Sequence, residues 1–423
     1  MFDYDARPVT SQVVLVGNRA TTLGYELRDF LSRNGVSYDW VEVDDADRVG
    51  QLLGSGTPAL HRLPICVLPD GSQLAGATVE QVATGLGMVS PPLLSEYDIV
   101  IVGAGPAGLA AAVYAASEGL RTVAIEAVAP GGQAGTTSMI ENYLGFPQGI
   151  SGGELATRAT AQARRFGAEV LLARRLVDIE GKNDGYVVRL SDGTTIPTRT
   201  VLAASGVHWR RLEVDGVDGL LGAGVYYGAG PSEAVSCRGC RVAIIGGGNS
   251  AGQAAVRFSR YASQVTLLIR GESLGASMSQ YLISNVSGLD NVDVLTGTEV
   301  VGLEADSRLR AVVLSTSGQP SLTRLPLESL FICIGGVPRT GGLASTGVAT
   351  DDAGYILTGA ALGALETWGL ERSPLPLEAS RPGFFAAGDV RSGSIKRCSA
   401  AIGEGSMAVA LVHRRLAELG VEP

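Results

Sequence analysis

Apolar and polar positions over the first 90 residues alternate between two patterns. Short apolar runs predict buried strands, and apolar positions at helical spacing predict helices. The strands fall at residues 13–17, 38–43 and 63–68, and the helices at residues 23–34 and 78–86. Pro69-Asp70-Gly71 forms a turn after the third strand, and Ser90-Pro91-Pro92 reads as a linker. The pattern predicts a small, separate β-α-β unit over residues 1–90.

After the linker, two glycine-rich motifs each lie between an apolar strand and a helix. The first is Gly103-x-Gly105-x-x-Gly108, and the second is Gly246-Gly-Gly248-x-x-Ala251. The first glycine of such a motif makes a tight turn, the second lets a pyrophosphate approach backbone N–H groups, and the third packs helix on strand. Glu126 ends the strand after the first motif, where it can accept hydrogen bonds from ribose hydroxyls. Two such units predict two dinucleotides and electron transfer between them.

Composition narrows the class of protein further. The 423 residues include 45% hydrophobic and 18% charged side chains, which is typical of a globular protein of about three domains. The net charge of −9 argues against a nucleic-acid partner and against an anionic membrane surface. The sequence starts without a basic-apolar leader and has no apolar run of about 20 residues, so we expect a cytoplasmic protein.

The cysteines and histidines indicate neither a disulfide scaffold nor a metal site. Five cysteines are too few for such a scaffold, and with three histidines they show no zinc-ligand spacing. We therefore predict no metal. The cysteines are Cys66, Cys237, Cys240, Cys333 and Cys398, and the histidines are His61, His208 and His413.

Three further segments carry a resemblance to a known family. They are Pro130-Gly131-Gly132-Gln133, Ile140-Glu141-Asn142-Tyr143, and PGFFAAGDV at residues 382–390. With the first motif they resemble the flavin-contacting segments of low-molecular-weight thioredoxin reductases, which are class II pyridine nucleotide-disulfide oxidoreductases. The resemblance covers about residues 96 to 420 and implies bound FAD. The implied FAD residues are Gly103, Gly105, Pro106, Ala107, Gly108, Glu126, Gly132, Gln133, Asn142, Gly388, Asp389, Lys396, Arg397 and Cys398.

The resemblance gives the last four of these residues particular roles. Asp389 would bind the ribityl chain, and the helix that follows would point its N-terminus at the isoalloxazine ring. Lys396-Arg397-Cys398 would lie beside the N1–C2 edge of the flavin. A positive charge there would stabilise the anionic reduced flavin.

Flavin segments flank the second motif, so the resemblance implies that one nucleotide domain is inserted into the other. The expected fold is α/β, with two nested Rossmann-like domains: an FAD domain at residues 96–210 and 329–423, and an NAD(P)H domain at 211–328. The chain would cross between them at residues 202–206 and 331–336. The implied NAD(P)H residues are Gly246, Gly248, Asn249, Ser250, Ala251, Arg270 and Gly335.

The choice of nicotinamide cofactor depends on the end of the next strand. Family members that use NADPH clamp its 2′-phosphate with several basic residues there, whereas this chain has Ile269-Arg270-Gly271-Glu272. One arginine remains, and no acid at the strand end selects NADH. We predict NADPH, with NADH or no nicotinamide cofactor as alternatives.

The N-terminal unit resembles the glutaredoxin/thioredoxin fold. Pro64 matches the cis-proline that precedes the third strand of that fold. The Cys-x-x-Cys expected between the first strand and the first helix is replaced by Asn18-Arg-Ala-Thr-Thr22. Because thiol–disulfide exchange needs a thiolate at that position, we predict a redox-inactive docking or dimerisation module.

A second dithiol is also missing. In the family, a Cys-x-x-Cys before the second motif carries electrons from the flavin to the substrate, and it would fall near Gly228 and Pro231 or Ser232. Cys237 and Cys240 follow a few residues later with the same spacing. They form either a displaced redox pair or incidental turn cysteines. Cys398 is the other candidate, or else a small residue tolerated beside the flavin.

These observations predict an FAD-dependent oxidoreductase. It would take hydride from NAD(P)H onto FAD and pass electrons to oxygen, a quinone, a small disulfide or a docked protein. Two alternatives stay open: a disulfide reductase that uses Cys237 and Cys240, and a flavin-dependent sensor or scaffold that NAD(P)H does not reduce. From the family we expect a homodimer.

Overall fold

The structure is a computed structural model of the 423-residue chain. It describes residues 13–18, 21–54, 62–137, 139–140, 142–182, 184–229, 231–363, 368 and 370–421. The chain start, His61 and Glu141, which the sequence analysis named, lie outside these residues. None of the helices within these ranges is both long and apolar enough to cross a membrane.

A four-stranded sheet in the order β2-β1-β3-β4 forms the N-terminal unit. Strands β1 and β2 are parallel, whereas β3 is antiparallel to β1 and β4 is antiparallel to β3. The predicted strands and helices are all present, α2 and β4 are additional, and the Leu63–Pro64 peptide bond is cis, as predicted. The elements are β1 (Val13–Gly17), α1 (Thr22–Arg33), β2 (Tyr38–Glu42), α2 (Ala46–Leu53), β3 (Ile65–Val67), β4 (Gln73–Ala75) and α3 (Val79–Gly85).

A seven-stranded sheet contains the first glycine motif. Its order is β7-β6-β5-β10-β9-β8, and the late strand β21 pairs in parallel with the end of β10. Helices α4, α5 and α9 cover one face and bury an alanine-rich core against it. The elements are β5 (Tyr97–Val102), α4 (Pro106–Ser117), β6 (Thr122–Ile125), α5 (Gly152–Arg165), β7 (Glu169–Leu171), β8 (Leu176–Lys182), β9 (Gly185–Leu190), β10 (Thr195–Ala203), β21 (Phe384–Ala386) and α9 (Cys398–Glu418).

A parallel five-stranded sheet in the order β12-β19-β13-β14-β15 contains the second motif. Helices α6, α7 and α8 accompany it, and an antiparallel sheet of β16, β17 and β18 packs against its other face. The elements are β12 (Val225–Tyr227), α6 (Pro231–Ser236), β13 (Arg241–Ile245), α7 (Asn249–Phe258), β14 (Gln264–Leu268), α8 (Gln280–Ser287), β15 (Val292–Leu295), β16 (Thr298–Ala305), β17 (Leu309–Thr316), β18 (Thr323–Pro326) and β19 (Ser329–Ile332).

The two crossings between these sheets lie side by side. After β10, the chain forms β11 (Val207–Trp209), and after β19 it forms β20 (Gly336–Pro338). These strands pair antiparallel, with His208 opposite Val337. Both crossings fall where the sequence predicted them, and they join into one ribbon between the two sheets.

A buried ion pair fixes the chain just before β21, which leads into the predicted flavin segment. The Glu378 side chain is 0% exposed, and its carboxylate accepts hydrogen bonds from the backbone N–H of Leu375 (2.9 Å) and of Gly383 (2.8 Å). The Arg372 guanidinium donates to both of its oxygens, at 2.7 and 3.1 Å. Arg372 also pairs with Glu418 at 2.6 Å on its more exposed side, whereas the buried Glu378 carboxylate depends on Arg372 and the two backbone N–H groups. Replacing this carboxylate therefore leaves buried donors without a full acceptor.

We therefore expect Glu378→Gln to lower the free energy of unfolding by about 3 kcal/mol. The amide keeps the shape of the carboxylate but cannot accept all four hydrogen bonds. The matched control is Glu304→Gln, since Glu304 pairs with Arg324 at 2.7 Å on the surface and should cost less than about 1 kcal/mol. Urea titration followed by circular dichroism measures both values, and equal losses would contradict this account.

Candidate functional site

The turn of the first motif requires glycine for steric reasons. Gly103 has φ of +105°, and a Cβ on it would lie 2.5 Å from the carbonyl oxygen of Ala204. A Cβ on Gly108 would overlap the carbonyl oxygen of Gly103. At both glycines the nearest atom is a backbone atom, so no side chain fits between the turn and its neighbours.

Gly105 leaves the start of α4 open. It is the N-cap residue, Pro106 follows it in the first turn, and no side chain caps the helix. Gly132 faces it so closely that a Cβ on Gly132 would lie 3.1 Å from the Cα of Gly105. The two glycines form a cradle of bare backbone in front of N–H groups that have no intrahelical partner, which suits an anionic pyrophosphate.

The helices that follow the glycine motifs begin without side-chain caps, as does α8 at Ser279. Side chains of Thr21, Asp45, Thr78 and Ser151 cap α1, α2, α3 and α5. Helices α4, α7 and α9 begin at Gly105, Gly248 and Arg397 without a side-chain cap. These three helices begin at the residues that the motifs assign to the cofactors, so their first N–H groups stay available to a ligand.

Glu126 is held in place by backbone groups. Its side chain is buried, and its two oxygens accept hydrogen bonds from the N–H of Ala104 and of Val128, each at 2.9 Å. Each carboxylate oxygen retains a further lone pair. Glu126 is thus an oriented acceptor beside the first motif and fits the predicted ribose contact.

The Gly388–Asp389 turn packs on the same helix. A Cβ on Gly388 would lie 3.0 Å from that of Ala107, and the Gly388 N–H donates to Glu404 at 2.7 Å. Burial raises the pKa of the half-buried Asp389, and Glu404 raises it further, while Lys396 opposes both. No hydrogen-bond donor among the described residues reaches the Asp389 carboxylate, so it can accept from a hydroxyl group of a ligand.

Lys396 is held by the protein itself. Its Nζ donates to the backbone carbonyl of Asp389 and to Ser394 Oγ, both at 2.7 Å, and lies 4.6 Å from the centre of the Tyr355 ring. The ammonium therefore supports the Asp389 turn. Arg397 is the N-cap residue of α9, and Cys398 is its first residue.

Two other predicted FAD residues occupy loops. Gln133 Nε2 donates to the carbonyl of Val207 at 2.9 Å, which ties the flavin-motif loop to the first crossing. Asn142 lies in an exposed loop together with Leu144, whose side chain is 93% exposed. Among the described residues, no hydrogen bond joins Asn142 to the glycine cradle.

The second motif resembles the first, since its first glycine lies against a backbone carbonyl; its last glycine lies in open space. A Cβ on Gly246 would overlap the carbonyl oxygen of Cys333, whereas one on Gly248 would meet nothing within 4 Å. Ser250 is exposed at the start of α7, and Ala251 is buried beneath it. Gly335 has φ of +91° and leaves open space at the second crossing.

Serines that the sequence analysis missed support this second turn. Ser277 Oγ donates to the carbonyl of Gly247 at 2.9 Å, and Asn249 Oδ1 accepts from the N–H of Ser279 at 2.7 Å. Both serines lie about 30 residues from the motif, so only the fold brings them together. Arg270 is 83% exposed, with Nε 3.8 Å from Glu299, and can turn towards a phosphate.

Comparison with known proteins decides the family. Residues 97–405 match the model of the pyridine nucleotide-disulphide oxidoreductases. The thioredoxin reductase of Bacillus subtilis (strain 168) is 33% identical over 326 residues, which cover 76% of this chain and 96% of that protein. The chain belongs to the pyridine nucleotide-disulphide oxidoreductase family. The thioredoxin reductase of Listeria innocua is 32% identical over 324 residues, 76% of this chain and 95% of that protein.

A solved structure agrees with this family. The crystal structure of Lactococcus lactis thioredoxin reductase has a TM-score of 0.69 and 26% identity, and covers 76% of this chain and 100% of its own. The chain is thus an FAD-dependent oxidoreductase of the thioredoxin reductase type, in a family that uses FAD and NADPH. The predicted flavoprotein with Rossmann-type sheets is confirmed. The match to the family model begins at residue 97, so the N-terminal unit lies outside it.

Gly228 lies near the place where the family resemblance puts the first thiol of the dithiol. It follows β12 with φ of +77°, and a Cβ there would lie 2.9 Å from the Trp209 indole. Its N–H donates to the carbonyl of Ile332 at 3.0 Å. Trp209 therefore fills the space that a cysteine side chain would need.

The candidate redox cysteines are free thiols in two different places. Cys237 is buried in the core beside the second sheet, where its Sγ contacts Ser329 Oγ at 3.5 Å, and Cys240 closes the turn after it. Burial raises the pKa of both thiols. Cys398 starts α9, where burial and then Asp389 raise its pKa to about 11. In the part of the chain that the structure describes, no group of His, Cys, Asp or Glu is arranged to hold a metal ion.

With a pKa of about 11, the Cys398 thiol should be almost entirely protonated at neutral pH and therefore slow to react. Because a pKa of about 11 leaves little thiolate, its alkylation by iodoacetamide should speed up about tenfold per pH unit from about pH 7 to about pH 9. Peptide mass spectrometry of the alkylated protein measures the rate at each pH. A rate that levels off below about pH 8 would instead indicate an activated thiolate.

Proposed function

We propose that this chain takes hydride from NADPH onto FAD and passes the electrons to an acceptor other than an ordinary thioredoxin. The acceptor would be oxygen, a quinone, a small disulfide or a protein docked through the N-terminal unit. Bound FAD supplies the chemistry, since it accepts two electrons as hydride and can release them to a second substrate. The protein supplies binding, orientation and electrostatics.

The FAD domain would comprise residues 96–210 and 329–423. The Gly103–Gly108 turn and the N-terminus of α4 would hold the pyrophosphate, Glu126 would accept from ribose hydroxyls, and Asp389 would accept from the ribityl chain. The uncapped start of α9 would place its positive end towards the negative charge of a reduced flavin. The open backbone cradle and the free carboxylate of Asp389 fit this cofactor.

The NADPH domain would comprise residues 211–328. Gly246, Gly248 and the start of α7 would bind its pyrophosphate, and Asn249 would fix the turn through Ser279. The exposed guanidinium of Arg270 would pair with the 2′-phosphate, a contact that NADH cannot make. This contact is the reason to prefer NADPH.

The observation that carries the unusual acceptor is the packing of Trp209 against Gly228. Relatives are named thioredoxin reductase, and the family resemblance places their dithiol at this point of the chain. Here the position holds no thiol and no room for one. Electrons would then leave the flavin directly, without the dithiol step.

The N-terminal unit, residues 1–90, would be a thioredoxin-like module without its dithiol. Its strand order and helices fit that fold, and it would dock a partner or another part of this chain. As in related flavoreductases, we expect the protein to act as a homodimer.

A displaced redox pair is the second candidate. It is favoured by the turn that brings Cys240 N–H to the Cys237 carbonyl at 3.0 Å. Two features oppose it: the Cys237 thiol lies in an apolar core, and burial raises the pKa of both thiols. A sensor that NADPH does not reduce is the third candidate.

Anaerobic stopped-flow measurement of flavin absorbance should show bleaching by NADPH. The Cys237→Ser/Cys240→Ser double variant should bleach at the same rate and keep full turnover with quinone and with a small disulfide. Lost disulfide turnover with normal bleaching would establish the displaced pair instead. No bleaching within minutes would favour the sensor.

Arg270→Ala should raise the KM for NADPH about tenfold and leave the KM for NADH unchanged, because one charge-assisted phosphate contact is lost. Arg324→Ala is the matched control, since this exposed arginine lies in the same unit and pairs with Glu304. Steady-state kinetics with both nucleotides measures the effect. An equal rise in both KM values would contradict a phosphate contact.

A further inference from the structure

The N-terminal unit contacts the candidate FAD site through the end of α1. Arg33, the last residue of α1, donates from Nη2 to the carbonyl of Gly132 at 2.9 Å and to that of Ala129 at 3.3 Å. Asn34 follows and donates from Nδ2 to the carbonyl of Val128 at 3.1 Å. Three carbonyls of one short loop, residues 128–132, are thus held from outside the FAD domain.

That loop forms one side of the glycine cradle. The Gly131 N–H donates to the carbonyl of Ala104 at 2.7 Å, inside the first motif. Gly132 faces Gly105 with no side chain between them. The Val128 N–H orients the carboxylate of Glu126. A displacement of the loop would therefore disturb both the pyrophosphate cradle and the predicted ribose acceptor.

Positive charge collects around the same loop. Loss of hydration lowers the pKa of Arg339, and the nearby guanidinium groups of Arg33 and Arg175 lower it further, while Glu126 opposes them. Asp29 pairs with Arg33 at 3.4 Å, on the side of α1. Arg175 pairs with Glu80 at 3.4 Å, so acidic side chains partly offset the three arginines around this loop.

We propose that Arg33 is a positioning residue of the FAD site: it holds the loop at residues 128–132 against the first motif, so that FAD binding and docking of the N-terminal unit stabilise each other. The proposal rests on the FAD site assigned above. By linkage, if docking favours FAD, bound FAD must favour docking to the same extent. Residue 33 precedes the segment matched by the family model, so this contact comes from the added unit.

The primary test is FAD affinity of the full-length chain. Flavin-free protein is titrated with FAD, and quenching of flavin fluorescence gives the dissociation constant. Arg33→Ala should raise that constant about tenfold, because two hydrogen bonds from a charged donor are lost while alanine preserves the helix. Arg33→Lys keeps the charge and should lie between wild type and Arg33→Ala. Arg48→Ala removes an exposed arginine of α2 and should match wild type.

Hydrogen exchange supplies a second readout that a merely stabilising residue would not change. In the wild-type chain, FAD should slow amide exchange in α1 (Thr22–Arg33). In Arg33→Ala, the same helix should respond much less to FAD. If Arg33→Ala does not fold, Arg33→Lys and the wild-type exchange experiment still test the coupling.

The two experiments distinguish failure of the Arg33 proposal from failure of the proposed function. If the wild-type chain binds FAD, but α1 exchanges equally with and without FAD and the Arg33 variants bind as tightly as wild type, the role of Arg33 is overturned and the FAD site stands. If the wild-type chain binds no FAD, the proposed function itself is overturned.

Discussion

Both nucleotide units depend on the same close approach of two backbones. The first glycine of each motif lies against the carbonyl at the end of a strand that leads into a crossing: Gly103 against Ala204, and Gly246 against Cys333. Both glycines have positive φ, which a residue with a side chain adopts at a cost. A Cβ at either position would push the crossing away from the turn. The glycine turns therefore fix where the chain leaves one sheet for the other.

Because of this close approach, each glycine turn lies next to a crossing between the two sheets. After Ala204 and after Cys333, the chain enters β11 and β20, which pair with each other. The two turns are thus connected through one ribbon, while α4 and α7 begin directly above them without side-chain caps. Polar side chains cap α1, α2, α3 and α5, whereas α8 also begins without one. At α4 and α7, the first backbone N–H groups have no side-chain or intrahelical acceptor among the described residues.

Much of this could be predicted from local sequence, because a strand, a glycine turn, a helix and an acid follow one another within about 25 residues. The crossings and the cis bond before Pro64 followed from the family resemblance. Contacts across long stretches of chain could not be predicted. Nothing in the sequence around Ser277 indicates that it supports Gly247, and Arg33 lies about 100 residues before the loop that it holds. The acceptors of Lys396 could not be predicted either: its ammonium donates to the Asp389 carbonyl and to Ser394 Oγ, both at 2.7 Å.

The packing around Gly228 and the ribbon between the sheets share one residue, Trp209. Trp209 lies on β11, within the ribbon, and its indole closes over Gly228. The N–H of Gly228 is bonded to Ile332, the residue before Cys333, whose carbonyl lies against the second motif. A cysteine introduced at residue 228 would have to displace Trp209, and with it a residue of the connection between the two units. Trp209 thus belongs to the framework that positions both glycine turns, so placing a thiol at residue 228 requires a second change at Trp209.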